Sequence, residues 1–238
     1  MNATIAMITL RSMLGRRRAL LLLGLPALML VLAGILRATG IADMEVSVTV
    51  LQRISLTTLL PLLALIAGTG VIGPEIDDGQ IMYVLTKPVP RQVIVLTKLA
   101  VAIGLIVVFA VLPTLVAGLL LIGTAEGLAS AFTVGVLVGG VAYGAIFVAL
   151  GVISRNAVTV GLLYALVWES LLGNFAPGAR SASVQQWALS VTDALTGVAD
   201  VTSTVDLGVA VPLLALVTVA GTLLAVVRLR SLSVASAE

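Results

Sequence analysis

The stretch Gly73 to Lys98 reads GPEIDDGQIMYVLTKPVPRQVIVLTK and lies between two long apolar runs. It is a polar island, with acids at Glu75, Asp77 and Asp78, bases at Lys87, Arg91 and Lys98, and prolines at 74, 88 and 90. In a chain that is 60% hydrophobic and 10% charged, a segment this polar belongs outside hydrocarbon, and its flanking runs belong inside.

Working outward, six apolar runs are near the length needed to cross ~30 Å of hydrocarbon as helix. They are Ala19–Leu36, Val48–Ile72, Lys98–Ile122, Leu128–Ile153, Ala157–Leu172 and Leu207–Val227. Long runs rather than short alternating segments argue against a β-barrel. The expectation is an all-α polytopic membrane protein, one transmembrane domain over residues 1–238. With no cysteine and no histidine, thiol redox chemistry, Cys or His metal sites and histidine acid–base catalysis are excluded. No basic soluble domain is present to bind nucleic acid.

Arg16, Arg17 and Arg18 precede the first run in the manner of a signal peptide, but the run is long and no convincing cleavage site follows. It reads as an uncleaved span. Met1–Gly15, with Ile5, Ile8, Met13 and Leu14 beside Arg11, reads as an amphipathic interfacial helix. Placing the N-terminus inside puts ten bases on the inner side: Arg11, Arg16, Arg17, Arg18, Lys87, Arg91, Lys98, Arg155, Arg228 and Arg230. Three remain outside (Arg37, Arg53 and Arg180), so both termini are expected in the cytoplasm.

Pro26, Pro61 and Pro113 fall inside spans and are expected to bend them. Gly135-x-x-x-Gly139 and Gly140-x-x-x-Gly144 in the fourth span predict close helix packing. The long outer segment from Gly173 to Asp206 carries Val184, Trp187, Ala188, Val191, Ala194, Leu195 and Val198 at helical spacing, which predicts an amphipathic helix on the outer surface, either a lid over an exit or an interfacial packing element. Gly68-Thr-Gly-Val-Ile-Gly73 matches a dinucleotide fingerprint, but it ends a membrane helix rather than following a strand. No P-loop motif occurs in the chain.

Mid-membrane charge would mark an ion path. The one candidate is Glu169, beside Trp168 and ~20 Å along a helix from Asn156. Glu169 is either a gate residue facing Arg53 or a carboxylate at the outer headgroups. Such scarcity argues that energy arrives from elsewhere. The island can receive it: Gly73-Pro74 starts a helix, Glu75, Asp77 and Asp78 lie near its N-terminal end, and Pro88 and Pro90 end it. An ordinary loop with a little surface helix fits the same residues.

Glu75, Gly79, Leu85, Thr86, Pro88, Val89, Arg91 and Lys98 together resemble the signature of ATP-binding-cassette (ABC) type-2 exporter permeases. Pro90, where serine is frequent, departs mildly. The resemblance implies a homodimer or heterodimer of permease subunits with separate cytoplasmic ABC ATP-binding subunits, which hold the ATP and magnesium. This chain would itself be non-catalytic, with no cofactor of its own. Glu75 to Thr86 would be a coupling helix docked on the ATPase through Glu75, Asp77, Asp78, Gly79, Met82, Tyr83, Leu85, Pro88 and Arg91, with Arg155 in a second inner contact. Spans two and five would line the pathway, making Arg53, Thr57, Thr58, Tyr164, Trp168 and Glu169 path candidates. The implied location is the bacterial plasma membrane. The alternative is a non-transporting subunit that passes ATPase-driven movement to an extracytoplasmic assembly or signalling partner.

Overall fold

The computed structural model describes residues 2–77, 90–165, 167, 181–198 and 200–231, and every element in them is helical. Five helices are long and apolar enough to cross a membrane: Ala19–Ala38, Met44–Ile76, Arg91–Ile122, Leu128–Ile153 and Leu207–Ser231. The expected fifth of six spans is described only as α9 (Ala157–Leu163) and the residues just beyond it. The sixfold count therefore stands on the sequence.

Chain order gives α1 (Ala3–Met13), α2 (Arg16–Ala38), α3 (Met44–Val50), α4 (Leu60–Gly70) and α5 (Gly73–Asp77). Next come α6 (Arg91–Ile106), α7 (Leu112–Ile122), α8 (Leu128–Ile153), α9, α10 (Val184–Thr196) and α11 (Leu207–Ser231). Several helices outrun their apolar cores. The second span begins at Met44, where Asp43 Oδ1 accepts the Val46 N–H at 2.8 Å, rather than at Val48. The third begins at Arg91, so Lys98 lies two turns inside it instead of opening it. Hydropathy registers the hydrocarbon-matching part of a helix, whereas capping and backbone hydrogen bonding set its ends.

The proline prediction takes a specific form. Leu51–Leu59 and Val107–Val111 are π-helical, and each runs into an α-helix with proline at its second position, Pro61 and Pro113. Proline lacks an N–H and crowds the carbonyl four residues back. The wider turn relieves that crowding: the Leu60 N–H donates to Ser55 O and the Leu112 N–H to Val107 O, each five residues back. The two segments are tied together by Ser55 and Thr114, both buried. Thr114 donates to Ala110 O at 2.8 Å, so Ser55 donates to the Thr114 hydroxyl.

Helix α8 is the packing centre, contacting α4, α6, α7, α10 and α11. Its two glycine pairs serve different neighbours. A Cβ on Gly139 would lie 2.9 Å from the Ala188 methyl, and one on Gly135 would collide with Thr192, so this pair seats α10. A Cβ on Gly140 would lie 2.7 Å from Ile106 Cγ2, so the second pair seats α6. Gly68 of the fingerprint-like run is also a packing glycine, its Cβ position 2.6 Å from Phe147 Cβ.

Helix α10 forms where its periodicity predicts, capped by the Ser183 hydroxyl and ended by left-handed Gly197. It packs against α8 and the second span, as an interfacial packing element would. Ala188 and Thr192 meet α8 about 10–17 Å along that helix from Leu128. Gln185 donates from Nε2 to Thr57 Oγ1 at 2.5 Å. Amphipathic spacing marks a buried and an exposed face and carries no information on depth. The return segment after α10 is held by Asp193, which accepts the Ser203 N–H at 3.0 Å.

Candidate functional site: the Glu75–Lys98 junction

The end of the molecule that carries the polar island is organised around one ammonium group. Lys98 is fully buried, and its Nζ donates to Glu75 Oε1 at 2.6 Å, to the Val71 carbonyl at 2.6 Å and to Thr9 Oγ1 at 3.4 Å. An ammonium has three N–H donors, and here each goes to a different element. Val71 is the cap residue of α4, so its carbonyl is one that the helix leaves unsatisfied. Glu75 belongs to α5, the first turn of the island, and Thr9 to the N-terminal helix. Burial of a charge is tolerable only with such pairing.

Two further contacts seat α1 on this junction. The Asn2 N–H donates to Thr97 Oγ1 at 3.1 Å, and its side chain caps the helix by accepting from Thr4 and Ile5. At the other end, fully buried Met13 packs against Gly70, where a Cβ would lie 2.8 Å from its sulfur. The docked face of α1 thus carries Thr9 and Met13, while Met7, Ile8 and Leu10 are exposed, as an interfacial helix requires.

The other predicted coupling residues divide into three groups. Arg91 opens α6, and its buried Nη1 has no hydrogen-bond partner among the described residues; the same holds for Glu75 Oε2. Arg155 is exposed on the turn between α8 and α9. With Ser154 and Asn156 it shares a cavity of ≈ 430 Å³ with Gly73 and Pro74, the start of α5. Asp77 ends α5, and Asp78, Gly79, Met82, Tyr83, Leu85 and Pro88 lie outside the described residues.

Of the path candidates, Arg53 and Thr58 share an exposed face of the second span. Thr57 is turned toward packing: it donates to Gln52 O at 2.9 Å and accepts from Gln185. Tyr164 is half-buried and meets Phe147 edge-on at 6.2 Å between ring centroids. Trp168 and Glu169 lie outside the described residues.

A family model for ABC-2 family transporter proteins matches residues 15–174, which include Val71, Glu75 and Lys98 of the junction, the island and both π-helical segments. The chain belongs to the ABC-2 transporter family. No curated protein matches it. Membership makes this a multi-pass membrane protein of the permease type, and family members of this kind are generally non-catalytic subunits that pair with an ABC ATP-binding subunit. Sequence reading had Glu75 and Lys98 as separate signature positions and missed that they bind each other, with Thr9, Thr97 and Asn2 completing the assembly. Opposite charges bracketing an island between adjacent spans were the available signal.

Proposed function

We propose that this chain is the membrane-spanning subunit of an ATP-driven exporter, working as a dimer in the bacterial plasma membrane and driven by ATPase subunits docked at the island. ATP and magnesium reside in those partners. The island end faces the cytoplasm, which accords with the basic residues gathered there: Arg11, Arg91 and Arg155, with Arg228 and Arg230 in the last turn of α11. The observation that carries the reading is the three-way Lys98 contact. A push on the residues following Glu75 reaches the end of span two, the start of span three and the N-terminal helix through one buried group. Such a rigid linkage transmits movement, whereas a loose loop absorbs it.

The test is reconstitution of the full chain with its ATP-binding subunit in liposomes. Glu75→Gln, and separately deletion of Asp77–Gly79, should abolish permease-dependent stimulation of ATP hydrolysis and ATP-dependent solute flux while the spans stay inserted. Unchanged flux through correctly inserted variants contradicts the role.

A further inference from the structure

Beside the face that docks on the junction, α1 borders a groove of ≈ 620 Å³ against the third span, lined only by apolar residues. Ala6, Met7, Leu10 and Leu14 belong to one wall, Gly104 and Val108 to the other. Met7, Leu10, Leu14 and Val108 are exposed. A Cβ on Gly104 would meet nothing within 4 Å, so the second wall is open at its middle. The volume falls within the ~300–1,000 Å³ usual for ligand sites.

The level of this groove follows from what holds α1. Asn2 is anchored to Thr97, Thr9 to Lys98 and Met13 against Gly70, while Lys98 itself reaches the Val71 carbonyl. The helix therefore lies across the island ends of spans three and two at one level, instead of running along them. On span three the lining runs inward from Val101 to Phe109, about 12 Å of helix. Half of a ~30 Å hydrocarbon core is about 15 Å, so the groove occupies the leaflet beneath α1.

Charge stands at its rim. Arg11 is exposed in the last turn of α1, four residues after Met7 and three before Leu14, so it flanks the lining face. Arg16, Arg17 and Arg18 follow at the start of α2, which puts four arginines within eight residues. Such a run beside an apolar helix face attracts anionic lipid, each arginine strengthening the attraction about fivefold. A second copy seated here about a twofold axis would bring the same four arginines to the same place and be repelled. A phospholipid has the two parts that an apolar wall below a cationic rim requires.

We propose that this groove holds an acyl chain of an anionic phospholipid from the leaflet on the island side, with its phosphate head group on Arg11. The lipid covers the face of α1 that the protein leaves open. Because Thr9 on the same helix accepts a hydrogen bond from Lys98, a lipid seated here also steadies the Glu75–Lys98 junction. The site requires neither ATP nor a partner subunit, so it stands or falls apart from the permease reading.

The test places the full chain in phosphatidylcholine nanodiscs with small, equal amounts of phosphatidylglycerol or phosphatidylcholine that carry a photoactivatable diazirine on one acyl chain. After irradiation, adducts on α1 and residues 101–109 are mapped by mass spectrometry. They are normalised to residues 207–216 of α11, where Leu207, Val209, Val211 and Leu216 are exposed. In the groove the phosphatidylglycerol probe should exceed the phosphatidylcholine probe by about fivefold or more. Arg11→Gln should cut that ratio by a comparable factor, Arg11→Lys should keep it, and Arg37→Gln, at the far end of α2, should leave it unchanged. Gly104→Leu should reduce groove adducts of both probes while sparing α11. Equal labelling by the two probes means annular lipid only and overturns the proposal. So does an absence of groove adducts beside a labelled α11, because a second copy or another segment of the chain would then cover the groove. An unchanged ratio in Arg11→Gln removes the head-group contact and the proposal with it. Where a variant fails to fold, the comparison of the two probes on the parent chain decides alone.

Discussion

Lys98 and Glu75 stand 23 residues apart, one at each end of the polar island, and meet at 2.6 Å with the ammonium fully buried. The two ends of the island are therefore pinned to each other.

Removing one side of that pair leaves a buried charge without its partner. Lys98→Met and Glu75→Gln are each expected to destabilise the folded protein by about 3–5 kcal/mol, and the double substitution by clearly less than their sum. Thermal unfolding of the detergent-solubilised variants reads this directly. Additive losses would mean that the pair contributes no coupling energy.

The position of α10 can be checked by chemistry, because the chain brings no cysteine of its own. Gln185→Cys combined with Thr57→Cys should be joined by a short bifunctional thiol reagent, as the parent side chains hydrogen-bond at 2.5 Å. A helix packed elsewhere would leave the two thiols unlinked.

The two glycine pairs of α8 should fail differently. Gly139→Leu should dislodge α10 and abolish that cross-link, while Gly140→Leu should spare it and instead disturb α6 through Ile106. Each overpacking should cost about 1–3 kcal/mol. Equal loss of the cross-link in both variants would contradict this division.

The Ser55–Thr114 link predicts an asymmetry. Thr114→Val strands the buried Ser55 hydroxyl and should cost about 1–3 kcal/mol, whereas Ser55→Ala leaves Thr114 donating to Ala110 and should cost less. Unfolding midpoints of the two variants in one detergent decide it; the reverse order would remove the donor assignment.

Much of the fold was legible because membrane helices announce themselves by apolar length. The boundaries of the fourth span match to the residue, since Gly127 and Ser154 lie just outside its apolar run. The glycine spacing announced close packing but could not say that each pair serves a different neighbour, because that depends on which faces α6 and α10 bring to it. The partners of α10 were hidden for a like reason: Gln185 reads as a solvent-facing residue until Thr57 is placed beside it. At the junction, Glu75 and Lys98 were both noticed, yet their contact depends on how the second and third spans pack, which no local pattern encodes. Arg53 and Thr58 share a face only through the π-helical turn, and ordinary α-helical counting separates them.

The most direct test of the central claim is a charge exchange at the junction, read by ATPase stimulation in nanodiscs holding the chain and its ATP-binding subunit. Glu75→Lys alone places two cations together and should abolish stimulation, and Glu75→Lys with Lys98→Glu should restore most of it by rebuilding the pair in reverse. Full stimulation in the single variant, or none in a well-folded exchange variant, would show that coupling does not run through this contact.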